Sequence, residues 1–188
     1  MKLKINDLSQ IALFAALTAV GAFIKIPFPF VPFTLQTFFV ALAGVLLGAK
    51  KGMLSQLLYV LIGLFVAPVF TKGGGIDYVL EPTFGYLIGF IISAYVIGLL
   101  MERLKKITLA RIFLIIMIGQ VIVYLTGVPY LYLMTNLYLG NVLPIGKAIY
   151  YGFILFIGGD FVSHYIASVL AVKLLPILRK SGIVTGKR

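Results

Sequence analysis

Long apolar runs, broken by short polar or proline- and glycine-rich stretches, set the pattern of the chain. A transmembrane helix needs roughly 17–25 mostly apolar residues. Six runs approach or meet that length, at about 8–24, 34–49, 53–70, 82–101, 109–127 and 148–175. They predict an all-α, polytopic bundle of six transmembrane helices, forming one integral membrane domain over residues 1–188. The stretch Pro129–Leu139 is apolar and tyrosine-rich but too short to span, and it reads as an interfacial or partly inserted segment. Lys2 and Lys4 ahead of the first run imitate a secretory signal peptide. Because similar runs follow, the chain stays in the membrane on either reading, and a first transmembrane helix is expected. No internal repeat or domain linker stands out.

Composition sharpens this picture. Of 188 residues, 62% are hydrophobic and only 11% charged, against about 25% charged in soluble domains. The mean hydropathy of +1.13 excludes a disordered chain. The net charge of +11 would suit nucleic acid on a soluble surface, but too few polar residues remain to build one. The charge is better explained by topology. If six helices alternate, thirteen of the sixteen Lys and Arg fall on one side, and only Lys25, Lys72 and Lys147 on the other. The cytoplasmic side carries such an excess, so both termini are expected in the cytoplasm. The absence of Cys removes disulfides, thiolate metal sites and cysteine nucleophiles together.

The external connections have unusual chemistry. Pro27-Phe28-Pro29-Phe30-Val31-Pro32-Phe33 is incompatible with a helix. Thr71-Lys72-Gly73-Gly74-Gly75 reads as a flexible lid over a pocket, which brings Gly74 and Lys72 among the candidate binding residues.

Ionisable residues within a membrane are expensive and mark sites. Asp160 and His164 lie four residues apart on the sixth run, with Ser163 beside them. That spacing places Asp160 and His164 on one helix face. Asp160 is the leading ligand contact; His164 is either a second contact or its structural partner. Gln36, with Thr34 and Thr37 nearby, sits just inside the membrane after the proline-rich loop and faces the same external cavity. Gln56 lies near the cytoplasmic end of its run, where a structural hydrogen bond is expected. Tyr86 is placed to wall the cavity, although with no Trp most of the eleven Tyr serve as interfacial anchors. No metal cluster, H-E-x-x-H, G-x-S-x-G or Walker A pattern occurs, so an intramembrane enzyme is disfavoured. Uphill transport would draw on a partner or an ion gradient. On the first run Ala12, Ala15, Ala16 and Ala19 recur at spacings of three and four, a small-residue face that allows close helix contact.

Taken together, Pro29-Phe30-Val31-Pro32-Phe33-Thr34-Leu35-Gln36-Thr37, Ala43-Gly44 through Leu47-Gly48, Lys72 to Gly75, Pro82 to Phe90, Gly127 to Leu131 and Gly159-Asp160 resemble the BioY family. Its members are biotin-binding S-components of energy-coupling factor (ECF) transporters. The resemblance covers nearly the whole chain in order. It implies a six-helix S-component fold in a prokaryotic cell membrane, with a biotin pocket open to the outside. It also implies docking of the alanine face of the first helix onto a transmembrane coupling protein driven by two ABC ATPases. S-components for thiamin or riboflavin, and a solitary or ion-coupled carrier, are the alternatives. Relatives often carry Lys where this chain has Ser163, and some carry Arg where it has Leu87. For the biotin carboxylate, Lys72 or Lys25 at the outer mouth is then expected to stand in. In chemical terms, Asp160 accepts from a ureido N–H, an amide such as Gln36 donates to the ureido carbonyl, and Phe, Tyr and Leu side chains suit the apolar remainder.

Overall fold

The structure, a computed structural model, describes residues 4–180. Lys2, Lys187 and Arg188, counted in the charge asymmetry, lie outside the described residues. Helix α1 (Ile5–Phe23) leads into a two-stranded hairpin, β1 (Lys25–Ile26) with β2 (Phe33–Thr34). Then come α2 (Gln36–Leu47), α3 (Ala49–Phe65), α4 (Phe84–Arg103), α5 (Leu109–Leu133), α6 (Ile145–Gly152) and α7 (Ile157–Lys180).

Local chemistry sets several boundaries. The Asp7 carboxylate accepts from the Lys4 backbone N–H at 3.0 Å and caps α1. Between α2 and α3 the chain reverses on Gly48 alone, at φ 80°, a conformation that strains any residue with a Cβ. Glu102, from the far end of α4, accepts from the Ala49 N–H at 2.8 Å. That carboxylate occupies the electropositive start of α3. The three prolines of the first connection coincide with the hairpin, whose register pairs Lys25 with Thr34 and Ile26 with Phe33.

The bundle is all-α apart from this hairpin, and its spans differ in detail from the sequence expectation. Among the described residues, four stretches are long and apolar enough to cross a membrane: Ile5–Phe23, Phe84–Arg103, Leu109–Tyr138 and Ile145–Leu178. The second and third predicted spans are helical only over the twelve residues of α2 and the seventeen of α3. At 1.5 Å per residue, α2 extends about 18 Å, short of a full crossing.

Pro129–Leu139 is not a separate interfacial segment. It is the C-terminal end of the long helix that starts at Leu109, with Pro129 inside α5 and a π-helical turn, Met134–Tyr138, completing it. A proline is tolerated inside a membrane helix when neighbouring groups satisfy the freed backbone. Here the buried face simply continues through Gly127, Leu131 and Thr135 at four-residue spacing. The sixth span starts at Ile145 rather than 148 and is broken. Helix α6 ends at Gly152, a 3-10 turn covers Ile154–Phe156, and α7 follows. The Tyr86 hydroxyl donates to the Gly152 carbonyl at 2.8 Å, satisfying an acceptor that the break leaves without a helical partner.

Helices α4 and α5 meet at glycines. A Cβ at Gly89 would lie 2.8 Å from Val123 Cα, and one at Gly127 would run into the ring of Tyr86. Such closeness suits helices in lipid, where dispersion contacts rather than the hydrophobic effect drive association. At one end of the bundle Lys51 binds Asp7 at 3.0 Å, near the Gly48 turn and Glu102. At the other end Lys25 reaches the Thr71 carbonyl at 2.5 Å. The start of α1, the Gly48 turn and the end of α4 thus lie together at one end, and the hairpin and the Thr71 segment at the other.

Candidate ligand cavity

A cavity of about 560 Å³, including its mouth, opens toward the cation-poor end. The hairpin supplies Val31, Pro32, Phe33 and Thr34, α2 supplies Gln36 and Thr37, and α4 supplies Tyr86, Leu87 and Phe90. From α5 come Gln120, Val123 and Tyr124, while Thr71, Tyr78, Thr83, Phe156 and Asp160 complete the wall. Most of this lining is apolar or aromatic, with Phe33 and Phe156 stacked at 6.1 Å between ring centroids.

The polar groups converge on Asp160. Its Oδ1 accepts from the Thr37 hydroxyl at 3.1 Å. Its Oδ2 accepts from Gln120 Nε2 at 2.7 Å and from the Tyr124 hydroxyl. Donors from α2 and α5 thus hold a carboxylate on α7, which is 4% exposed and forms no ion pair among the described residues. An ionised carboxylate offers about four acceptor sites. Three are used, which leaves one for a donor brought by a ligand.

His164 is not the direct partner of Asp160. The shared helix face is real, but Gln120 stands between them, with its Oε1 3.0 Å from His164 Nε2. Because the Gln120 amide group donates to the carboxylate, its oxygen must accept, and this assigns the proton to His164 Nε2. The Nδ1 atom is buried without a partner.

Gln36 is held at both ends. Its Nε2 donates to the Tyr59 hydroxyl at 2.8 Å, and its Oε1 accepts from Thr34 at 3.0 Å. One amide hydrogen remains for a ligand acceptor. Gln56 is bound by the Thr18 hydroxyl at 3.2 Å, away from the cavity.

The structure thus gathers Asp160, Gln36, Thr34 and Tyr86 around one cavity, and leaves Ser163, His164, Lys72 and Gly74 off its wall. Ser163 is buried with its hydroxyl unpartnered. Part of the glycine loop rests against the end of α3. The Gly75 N–H donates to the Gly63 carbonyl at 2.8 Å, and a Cβ at Gly74 would lie 2.7 Å from that same oxygen. Sequence reasoning missed Gln120 and Tyr124. Their signal is a lone amide four residues before a tyrosine in an otherwise apolar run.

On α1, the alanines divide. Ala12 and Ala16 are exposed and Ala19 is half-buried, while Ala15 is 2% exposed in the core. Ala15 shares the inward face of Ile11, Thr18 and Ala22, so it packs within the chain and is not available to a partner.

A largely apolar cavity within a helical membrane bundle, with one acceptor-rich focus and an exit at one end, defines a small-solute-binding membrane protein. The chain belongs to the BioY family, whose pattern matches residues 1–180. It is 49% identical over 178 residues to a probable biotin transporter of Lysinibacillus sphaericus, covering 95% of this chain and 91% of that one. It is 42% identical over 170 residues to the biotin transporter BioY of Thermotoga maritima, covering 90% and 95%. The crystal structure of the S-component for biotin from an ECF-type ABC transporter superposes with a TM-score of 0.80 at 26% identity. That match covers 92% of this chain and 94% of the other.

Proposed function

We propose that the protein captures biotin from outside a prokaryotic cell, as the S-component of an ECF-type ABC transporter. It is a transport component and not an enzyme. The observation that carries the reading is Asp160, a carboxylate with a free acceptor position in an apolar cavity. A fused ureido ring brings two N–H donors and one carbonyl. Asp160 takes an N–H, Gln36 or a neighbouring hydroxyl donates to the carbonyl, and the Phe, Tyr and Leu walls receive the apolar rings. Thr34 acts through Gln36, which it holds by a hydrogen bond. Tyr86 shapes the wall while its hydroxyl is tied to Gly152.

The cation-rich end faces the cytoplasm with both termini, following the usual excess of Lys and Arg there. Exposed Ala12 and Ala16, with half-buried Ala19 beside them, form the flank of α1 that meets a transmembrane coupling protein. Two ABC ATPases bound to that protein supply the energy. Calorimetry in detergent with biotin, thiamin and riboflavin tests the substrate. Saturable one-to-one binding of biotin alone is expected, and preferential binding of either other vitamin would overturn the assignment.

A further inference from the structure

From the mouth of the cavity, and resting on the reading above, we infer that Lys25 binds the carboxylate of the ligand. Asp160 fixes which way such a ligand lies. A second anion beside it in a poorly screened apolar cavity would be strongly repelled. A ligand that gives an N–H to Asp160 must therefore carry its own carboxylate away, toward the mouth.

Three cations are available at that end, and two of them are unsuitable. Lys72 is held by Glu81 at 3.1 Å, so a ligand carboxylate placed there would meet that acid as well. Lys147 belongs to α6, none of whose residues line the cavity. Lys25 is itself off the cavity wall, but it is tied to two residues that are on it. Its backbone pairs with Thr34 across the hairpin, and its ammonium group donates to the Thr71 carbonyl at 2.5 Å. Thr34 and Thr71 are both lining residues, from separate segments. The side chain therefore bridges two parts of the mouth. An ammonium has three donors; one is used on Thr71, and no carboxylate of the described residues pairs with it. The remaining donors and the whole charge are left for the ligand. The chain thus splits recognition between a neutral donor head at Asp160 and an anionic tail at Lys25.

The test pairs three variants with two ligands, biotin and its uncharged methyl ester, measured by calorimetry in detergent. Lys25→Gln should weaken biotin about three- to tenfold, between an exposed ion pair and a charged hydrogen bond. The same variant should weaken the ester distinctly less than it weakens biotin, because the ester brings no charge to pair with the ammonium. Lys72→Gln should change neither ligand, and Lys25→Arg should keep most of the biotin affinity. Equal losses for biotin and ester would reduce Lys25 to a tie between hairpin and loop and overturn the inference. A biotin-selective loss in Lys72→Gln would move the anion site to Lys72. A parent protein that binds thiamin or riboflavin instead of biotin would bring down the substrate reading, and this inference with it.

Discussion

Replacing Asp160 by Asn removes one charge and almost no volume, and the surrounding network indicates what survives. With its oxygen turned toward Gln120 and Tyr124, the new amide accepts both existing donors. Its NH₂ then faces the Thr37 hydroxyl, which can accept in place of donating. The ties from α7 to α2 and α5 persist, so the variant should fold and keep its thermal midpoint. What changes is the ligand bond. The acceptor position left for a ligand is on Oδ1, beside Thr37, and in the variant that atom becomes the NH₂. The bond to the ligand N–H is therefore lost, about 1.5–3 kcal/mol, or about ten- to a hundredfold in biotin affinity. Asp160→Ala removes the same bond and the ties to α2 and α5 with it, and should bind no better than Asn. The chain contains no Trp, so calorimetry or a labelled ligand is the suitable assay. If Asp160→Asn binds biotin within about twofold of the parent, well under the tenfold of 1.4 kcal/mol, the carboxylate does not serve recognition. If Ala binds as well as the parent, no ligand N–H meets this position.

Three other outcomes follow from the architecture. Ala16→Trp fills an exposed position on α1 and should leave biotin binding unchanged while abolishing co-purification with the coupling module and uptake. Lost binding would mean that the face packs inside the chain. Gly89→Ala places a Cβ 2.8 Å from Val123 Cα, an overpacking cost of about 1–3 kcal/mol partly offset by about 1 kcal/mol of helix propensity. The thermal midpoint in detergent should fall by about 2–6 °C, and an unchanged midpoint would show that α4 and α5 separate freely. Cysteines at Gly146 and Lys105, both exposed, should react with an impermeant reagent from opposite sides of the membrane. Reaction from one side would refute the alternating topology.

The helices were legible in the sequence because membrane spans declare themselves by length and hydropathy. Where they were misjudged, long-range packing had overridden a local rule. Pro129 marks a helix end only if nothing else holds the backbone, and the buried side chains of Leu131 and Thr135 sustain the helix beyond it. The break after Gly152 carries little local signal, since the Tyr86 hydroxyl that satisfies its carbonyl lies 66 residues earlier. Asp160 stood out because an acid in an apolar run is expensive. Gln120 and Tyr124 did not, because an amide and a phenol cost less, and their role appears only once α5 is set against α7. His164 shows the limit of spacing arguments: four residues place two side chains on one face, yet a residue of another helix can separate them.

The glycine seam between α4 and α5 has a thermodynamic consequence for ligand capture. Tyr86, Leu87 and Phe90 stand on one of these helices, and Gln120, Val123 and Tyr124 on the other. Backbones in such close contact resist separation, so this part of the cavity wall is preorganised before any ligand arrives. Ordering on binding must fall on the non-helical parts of the wall, the hairpin around Phe33 and the segment from Thr71 to Thr83, and each immobilised side chain there subtracts about 0.5–1.5 kcal/mol from affinity. Amide exchange should accordingly slow on saturation in those two segments while the α4–α5 seam stays unchanged. Affinity in this chain is then open to adjustment by stiffening its loops, with no new contact to the ligand.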